Sequence, residues 1–142
     1  MNIFEKIINW IAGIFQKSSK QPDVVVPPPI ELLPPINFST VNVVNKPPKN
    51  ENVVAGRLYC VVVSGRMKWT LFLCPCGCGS IVTLSLQPVH TPFWKLTKMA
   101  SGRATLYPSV WRDNGCFSHF WVKDGRVYWC VNTGTHPDYC NN

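Results

Sequence analysis

Charge is scarce in this chain. Only 15% of its 142 residues are Asp, Glu, Lys or Arg, against roughly 25% in an average soluble domain. Acids are the rarer sign, seven against fourteen bases, for a formal charge of +7. Residues 51–142 hold only Glu51, Asp113, Asp124 and Asp138 as acids. None stands in an H-E-x-x-H helix or in the H-x-E with P-C-x-x-C pattern of the zinc deaminases. Long apolar runs are missing too: none approaches the roughly 20 residues that span a bilayer as a helix. No glycine-rich phosphate loop and no fixed-period repeat occurs, which sets aside P-loop nucleotide binding and solenoids. The length excludes a large two-domain enzyme.

Proline and cysteine are abundant, thirteen and seven, and they are unevenly placed. Eight of the prolines lie between Pro22 and Pro48, and every cysteine and histidine lies from Cys60 onward. Three parts follow. In residues 1–18, Ile3, Phe4, Ile7, Ile8, Ile11, Ile14 and Phe15 recur with the period of one helix face, with Trp10 beside the stripe. This amphipathic helix would pack on protein or lie in a membrane interface; an export signal fits less well, because Glu5 interrupts the basic start. Residues 19–50, with VVVPPPIELLPPI and NKPPKN, lack the amide donors for a helix or central strand and read as an extended Pro-rich linker. Its apolar residues are too many for a purely solvated spacer, so part of it is expected against the domain as an edge.

Residues 51–142 form the folded domain, at +5 from nine bases and four acids. Arg57–Val63, Met67–Leu73, Ile81–Leu86, Ala104–Tyr107, Phe120–Lys123 and Arg126–Val131 read as strands, with hairpin turns at Ser64-Gly65 and Asp124-Gly125. The expected fold class is all-β: a small, mostly antiparallel domain of five to seven strands. So small a core calls for a metal or disulfides.

The cysteines number an odd seven, so they cannot all pair within the chain. Cys74, Cys76 and Cys78 lie within Cys74-Pro75-Cys76-Gly77-Cys78-Gly79, a spacing poor for disulfides and good for converging on one ion, since the glycines let the backbone turn. Cys116 and His119 supply a second C-x-x-H half. Thiolate with imidazole suits tetrahedral Zn²⁺. Five candidates exceed the four ligands of a closed site. The spacing favours Cys74 or Cys76 with Cys78, Cys116 and His119, and leaves the spare residue open. Asp113 is placed to support the ligands from outside. Cys60 and Cys130 read as buried core residues, and His90 and His136 as surface or hydrogen-bonded histidines. The tryptophans supply core area or, mixed with Lys68, Lys95, Arg112, Lys123 and Arg126, a face for nucleic acid.

The segments LFLCPCGCGSIVTLSL, Trp94-Lys95-Leu96-Thr97, TLYPSV and CFSHFWVKDGRVYWC occur in an order that resembles a family of small bacterial and phage proteins of unknown function, over about residues 57–131. Some members of that family are encoded beside ubiquitin-like, E1-like and E2-like genes. The resemblance implies zinc at Cys74, Cys76, Cys78, Cys116 and His119, with Pro108 and Ser109 shaping a neighbouring loop, and supplies no activity.

The expectation is therefore a zinc-stabilised β module on a Pro-rich tether, in a reducing cytoplasm and peripheral to the membrane if residues 1–18 bind it. Its leading role is that of a protein-interaction adaptor, linked to a bacterial ubiquitin-like conjugation system. Two alternatives stand beside it: a nucleic-acid-binding zinc domain, and a small zinc- or thiol-dependent hydrolase with a spare cysteine beside His119 or His90. The shortage of acids leans the sequence away from an enzyme.

Overall fold

The computed structural model describes residue 27 and residues 29–140; the helix expected over 1–18 and the start of the Pro-rich stretch lie outside them. All strands belong to one compact unit, Leu33–Asn142. The first sheet runs β1 (Thr40–Val44), β2 (Arg57–Val63), β3 (Arg66–Leu73), β4 (Ile81–Ser85) in that spatial order. The second runs β5 (Lys95–Lys98), β6 (Ala104–Trp111), β7 (His119–Lys123), β8 (Arg126–Trp129). The all-β expectation holds, with eight strands among the described residues rather than five to seven. Every neighbouring pair is antiparallel except β1 on β2, which is parallel.

Period-two alternation explains how the sheets close on each other. Leu58 and Cys60 of β2, Phe72 of β3 and Val82 and Leu84 of β4 face one core. Leu96, Ala104, Leu106, Val110, Phe120, Val122 and Val127 meet them from the second sheet. Phe72 lies edge-on to Phe38 at 5.0 Å and to Phe120 at 6.4 Å, the offset geometry that aromatic quadrupoles prefer. The intervening residues of the first sheet, Tyr59, Val61 and Leu71, form a smaller cluster on its other face with Val53. The five described tryptophans stay out of the fully buried set; phenylalanine, leucine and valine fill the core instead.

The hairpin at Asp124-Gly125 has positive φ at both central residues, 48° and 72°, which matches the strand twist. A side chain at Gly125 would run into the Phe38 carbonyl and Arg103, because the Gly125 carbonyl accepts the Asn37 and Phe38 N–H groups at 2.9 and 2.8 Å. This contact ties residues 37–38 to the second sheet. Phe38 is 3% exposed and β1 is an edge strand, so residues from about 36 onward, within the stretch read as linker, pack into the domain. Of the apolar residues in VVVPPPIELLPPI, Ile30, Leu32 and Leu33 are exposed. No helix among the described residues is long and apolar enough to cross a membrane.

Candidate active site

Strand β6 reaches past Pro108 to Trp111, where the sequence suggested an end at Tyr107. Between Leu106↔Val122 and Val110↔Phe120, β6 advances four residues while β7 advances two. Tyr107, Pro108 and Ser109 fill this bulge. Proline suits it, since it brings no N–H that a ladder would need, and bulges re-aim side chains near functional sites. Strand β7 buries Phe120 and Val122, so His119 points to the opposite face, where Ser109 also lies.

There the Ser109 Oγ and His119 Nε2 are 3.0 Å apart. The other ring nitrogen, Nδ1, lies 2.6 Å from the Asn132 Oδ1. An amide oxygen only accepts, so Nδ1 carries the proton and donates it to Asn132. Nε2 is then the bare nitrogen that receives the Ser109 hydroxyl hydrogen. All three residues are half-buried. Trp111 stacks flat on the imidazole, with centroids 4.3 Å apart and planes parallel, and its indole N–H donates to the Thr135 carbonyl at 3.1 Å. The His119 N–H donates to the Thr133 hydroxyl at 3.0 Å, and the Trp94 indole donates to the Ser109 carbonyl at 3.2 Å. Ser109 and His119 are thus each held by neighbours outside the Ser109–His119–Asn132 chain, the support that a preorganised site requires.

A second serine–histidine contact, Ser85 Oγ to His90 Nδ1 at 2.6 Å, differs in kind. Ser85 is 6% exposed, and its oxygen also accepts the Gln87 N–H. His90 is the hydrogen-bonded histidine that the sequence suggested.

Cys74, Cys76, Cys78 and Cys116 converge: their sulfurs all lie within 4.8 Å of one another. Positive φ at Gly77 and Gly79, 85° and 79°, lets the loop after β3 wrap the sulfurs. Four thiolates on tetrahedral Zn²⁺ at about 2.3 Å stand about 3.8 Å apart; Cys74 lies 3.4 Å from Cys76 and 3.7 Å from Cys116. The cluster can hold a metal ion. Burial pushes the Cys74 thiol up to about 12. Hydrogen bonding from Ser80 brings exposed Cys78 down to about 6. Ser118 reaches both Cys116, at 3.1 Å, and Cys74, at 3.8 Å. The Arg112 guanidinium lies 3.6 Å from the Cys78 sulfur and 3.5 Å from that of Cys116. Arg112, rather than Asp113, therefore supports the sulfurs from outside.

The structure thus gathers four of the five sequence candidates. His119 lies outside the cysteine group, with both ring nitrogens engaged by Ser109 and Asn132. Ser109 was legible only as a loop-shaping residue, and Asn132 carried no signal. Cys60 is buried as expected, whereas Cys130 is only partly so.

No curated protein and no solved structure matches the chain. Residues 43–130 match the family described as bacterial ubiquitination-like system serine protease (BubE). That span includes the four cysteines, Ser109 and His119, and stops two residues short of Asn132. It takes in more than half of the chain, which therefore belongs to the BubE family of bacterial ubiquitination-like system serine proteases.

Proposed function

We propose that the protein is a serine protease whose nucleophile is Ser109, whose general base is His119 and whose base-orienting residue is Asn132. The observation that carries this reading is the continuous relay from the Ser109 hydroxyl through both nitrogens of one imidazole to a side-chain amide. Such a constellation is recognised by geometry and roles, whatever the fold. The Ser109 Oγ attacks the scissile carbonyl carbon while Nε2 takes its proton. The resulting imidazolium is stabilised by its Nδ1–H bond to Asn132. The proton then passes from Nε2 to the leaving nitrogen as the C–N bond breaks, leaving an acyl ester on Ser109. Water, deprotonated by the same Nε2, cleaves that ester and returns the hydroxyl. Asn132 is a positioning residue; being neutral, it keeps the tautomer without adding charge.

The family description supports a partner from a ubiquitin-like conjugation system, either its precursor or its conjugates, as the substrate. The four cysteines are read as a structural zinc centre, with Cys74, Cys76, Cys78 and Cys116 as ligands. Zinc there would cross-link the β3–β4 loop to the turn before β7, and with four thiolates it would keep no open position for chemistry. An all-thiolate set argues for a reducing compartment.

The test is covalent labelling with a fluorophosphonate, which marks activated serines. The wild-type chain should label at Ser109 by peptide mass mapping, and Ser109→Ala and His119→Ala should not. An unlabelled wild type, or labelling that persists in Ser109→Ala, would refute the assignment.

A further inference from the structure

The main chain beside Ser109 is left open in a particular way. Cys74 N–H donates to the Ser80 carbonyl at 2.8 Å and Leu86 N–H to the Lys68 carbonyl at 2.9 Å. Both are bonds between directly opposite residues of the β3–β4 register. Antiparallel pairs alternate between bonded and non-bonded. Val82 and Leu84 therefore bond to β3, while the N–H and C=O groups of Ile81, Thr83 and Ser85 turn outward. The Ser85 carbonyl is taken by the Trp94 N–H at 2.7 Å. Ile81 and Thr83 remain as an open edge among the described residues.

The same counting applies to β6. Arg112 N–H donates to the Ser118 carbonyl at 2.9 Å, so Val110 also bonds to β7, and the main chain of Trp111 turns away from it. On that side β5 pairs β6 only from Ala104 to Tyr107. The two open edges border one cleft of about 390 Å³, lined by Ile81–Leu84, by Trp94 and by the run from Val110 to Asn114. Ser109 adjoins this run.

We propose that this cleft receives the acyl side of the substrate as an added β-strand, paired to Ile81 and Thr83 on one wall and to Trp111 on the other, with the scissile carbonyl beside Ser109. The occupant is an extended, flexible segment of the substrate protein. Recognition runs through main-chain groups, as in other cases of strand addition. The acyl side is the part that precursor and conjugate of a ubiquitin-like protein have in common, whatever the leaving group. This inference rests on the serine-protease reading.

The experiment compares turnover of p-nitrophenyl acetate with that of acetyl-tetraalanine p-nitrophenyl ester by the full chain. Both esters have the same leaving group, and only the second can form a strand. The peptide ester should gain about tenfold or more in kcat/KM, the worth of one or two main-chain hydrogen bonds. Thr83→Pro removes an outward donor at an edge, where proline is tolerated. It should abolish that gain, so that the peptide ester turns over no faster than p-nitrophenyl acetate. In case Thr83→Pro fails to fold, the wild type is also given the tetraalanine ester with its alanine amides N-methylated, which should lose the gain.

A gain that survives in folded Thr83→Pro or with the N-methylated ester, or no gain at all, overturns the proposal while the protease reading stands. Absence of Ser109-dependent turnover of p-nitrophenyl acetate overturns both. A dimer in sedimentation that Thr83→Pro dissolves would assign the edge to a second copy of the chain and also overturn the proposal.

Discussion

Replacing His119 with alanine separates two roles that one residue could hold. The imidazole gives up a hydrogen bond to Ser109, one to Asn132 and a stacked contact with Trp111. At about 1 kcal/mol for each bond and about 0.5–1.5 kcal/mol for the stacking, the fold should lose at most about 3.5 kcal/mol, less because the ring is partly solvated. For a unit of this size that corresponds to a fall in Tm of about 10 °C. Catalysis should suffer far more. Loss of the base should lower kcat/KM about 10⁴-fold, or about 5 kcal/mol of transition-state stabilisation. The metal should be untouched, because the four sulfurs lie outside the ring's contacts. The assay is therefore threefold on one preparation: zinc per chain by elemental analysis, Tm, and hydrolysis of p-nitrophenyl acetate. The expected result is about one zinc per chain with activity gone. Zinc falling well below that of the wild type would show that His119 is a ligand, and would refute its assignment as the base.

Three further outcomes are expected. Asn132→Ala should retain zinc and Ser109 but lose about 10²-fold in kcat, since a misdirected base costs about that much; unchanged kcat would remove Asn132 from the relay. Removing the metal with a thiol-competitive chelator, or making Cys74→Ser, should abolish activity as well as stability, and zinc added back to the chelated wild type should restore both; a fully active metal-free chain would contradict a structural centre. The Asp124 carboxyl is held below the usual carboxylate range by hydrogen bonds from Arg103, at 2.8 Å, and Ser101. Its stabilisation is present above the unfolded carboxylate pKa and lost as pH falls through the lower folded value, so Asp124→Asn should lower Tm at pH 7 and lose that difference in acid; a difference constant down to acid pH would count against the ion pair.

How much of this could be read from the residues depends on how local each signal is. Six of the eight strands announce themselves through β-branched and aromatic runs or tight turns. Strand β5 does not, because only Leu96 of Lys95–Lys98 is buried. Strand β1 is hidden by the prolines around it, and its parallel pairing to β2 needs no turn between them. Strand β6 looks finished at Pro108 because proline cannot continue a ladder, and a two-residue bulge is not visible in composition. The cysteine cluster was largely legible, since three of its four members lie within five residues. The relay was not. Its members come from a bulge, a strand and a post-strand loop, and serine and asparagine are common surface residues. Only the register of β6 against β7 and the return of the chain after β8 bring them together.

The spacing of Cys116 and His119 shows why nearness in sequence does not by itself place two residues in one centre. Phe117 has a positive φ of 50°, so the chain reverses its sense between the two residues. Cys116 and Ser118 turn to the sulfurs, and His119 begins β7 on the outer face. Four residues therefore join two centres of different chemistry. An ion bound to Cys116 would fix the turn through Ser118 and so set where β7 starts, which is where the base must stand to meet Ser109. Arg112 does the same from β6: it follows the Trp111 that stacks on His119, and its guanidinium lies on two of the sulfurs. In a domain with so few buried residues, an ion ligated by these sulfurs would tie both strands together at the end where the relay sits. On the proposed reading, a metal on these sulfurs would act on the reaction by placing the base, without touching the substrate.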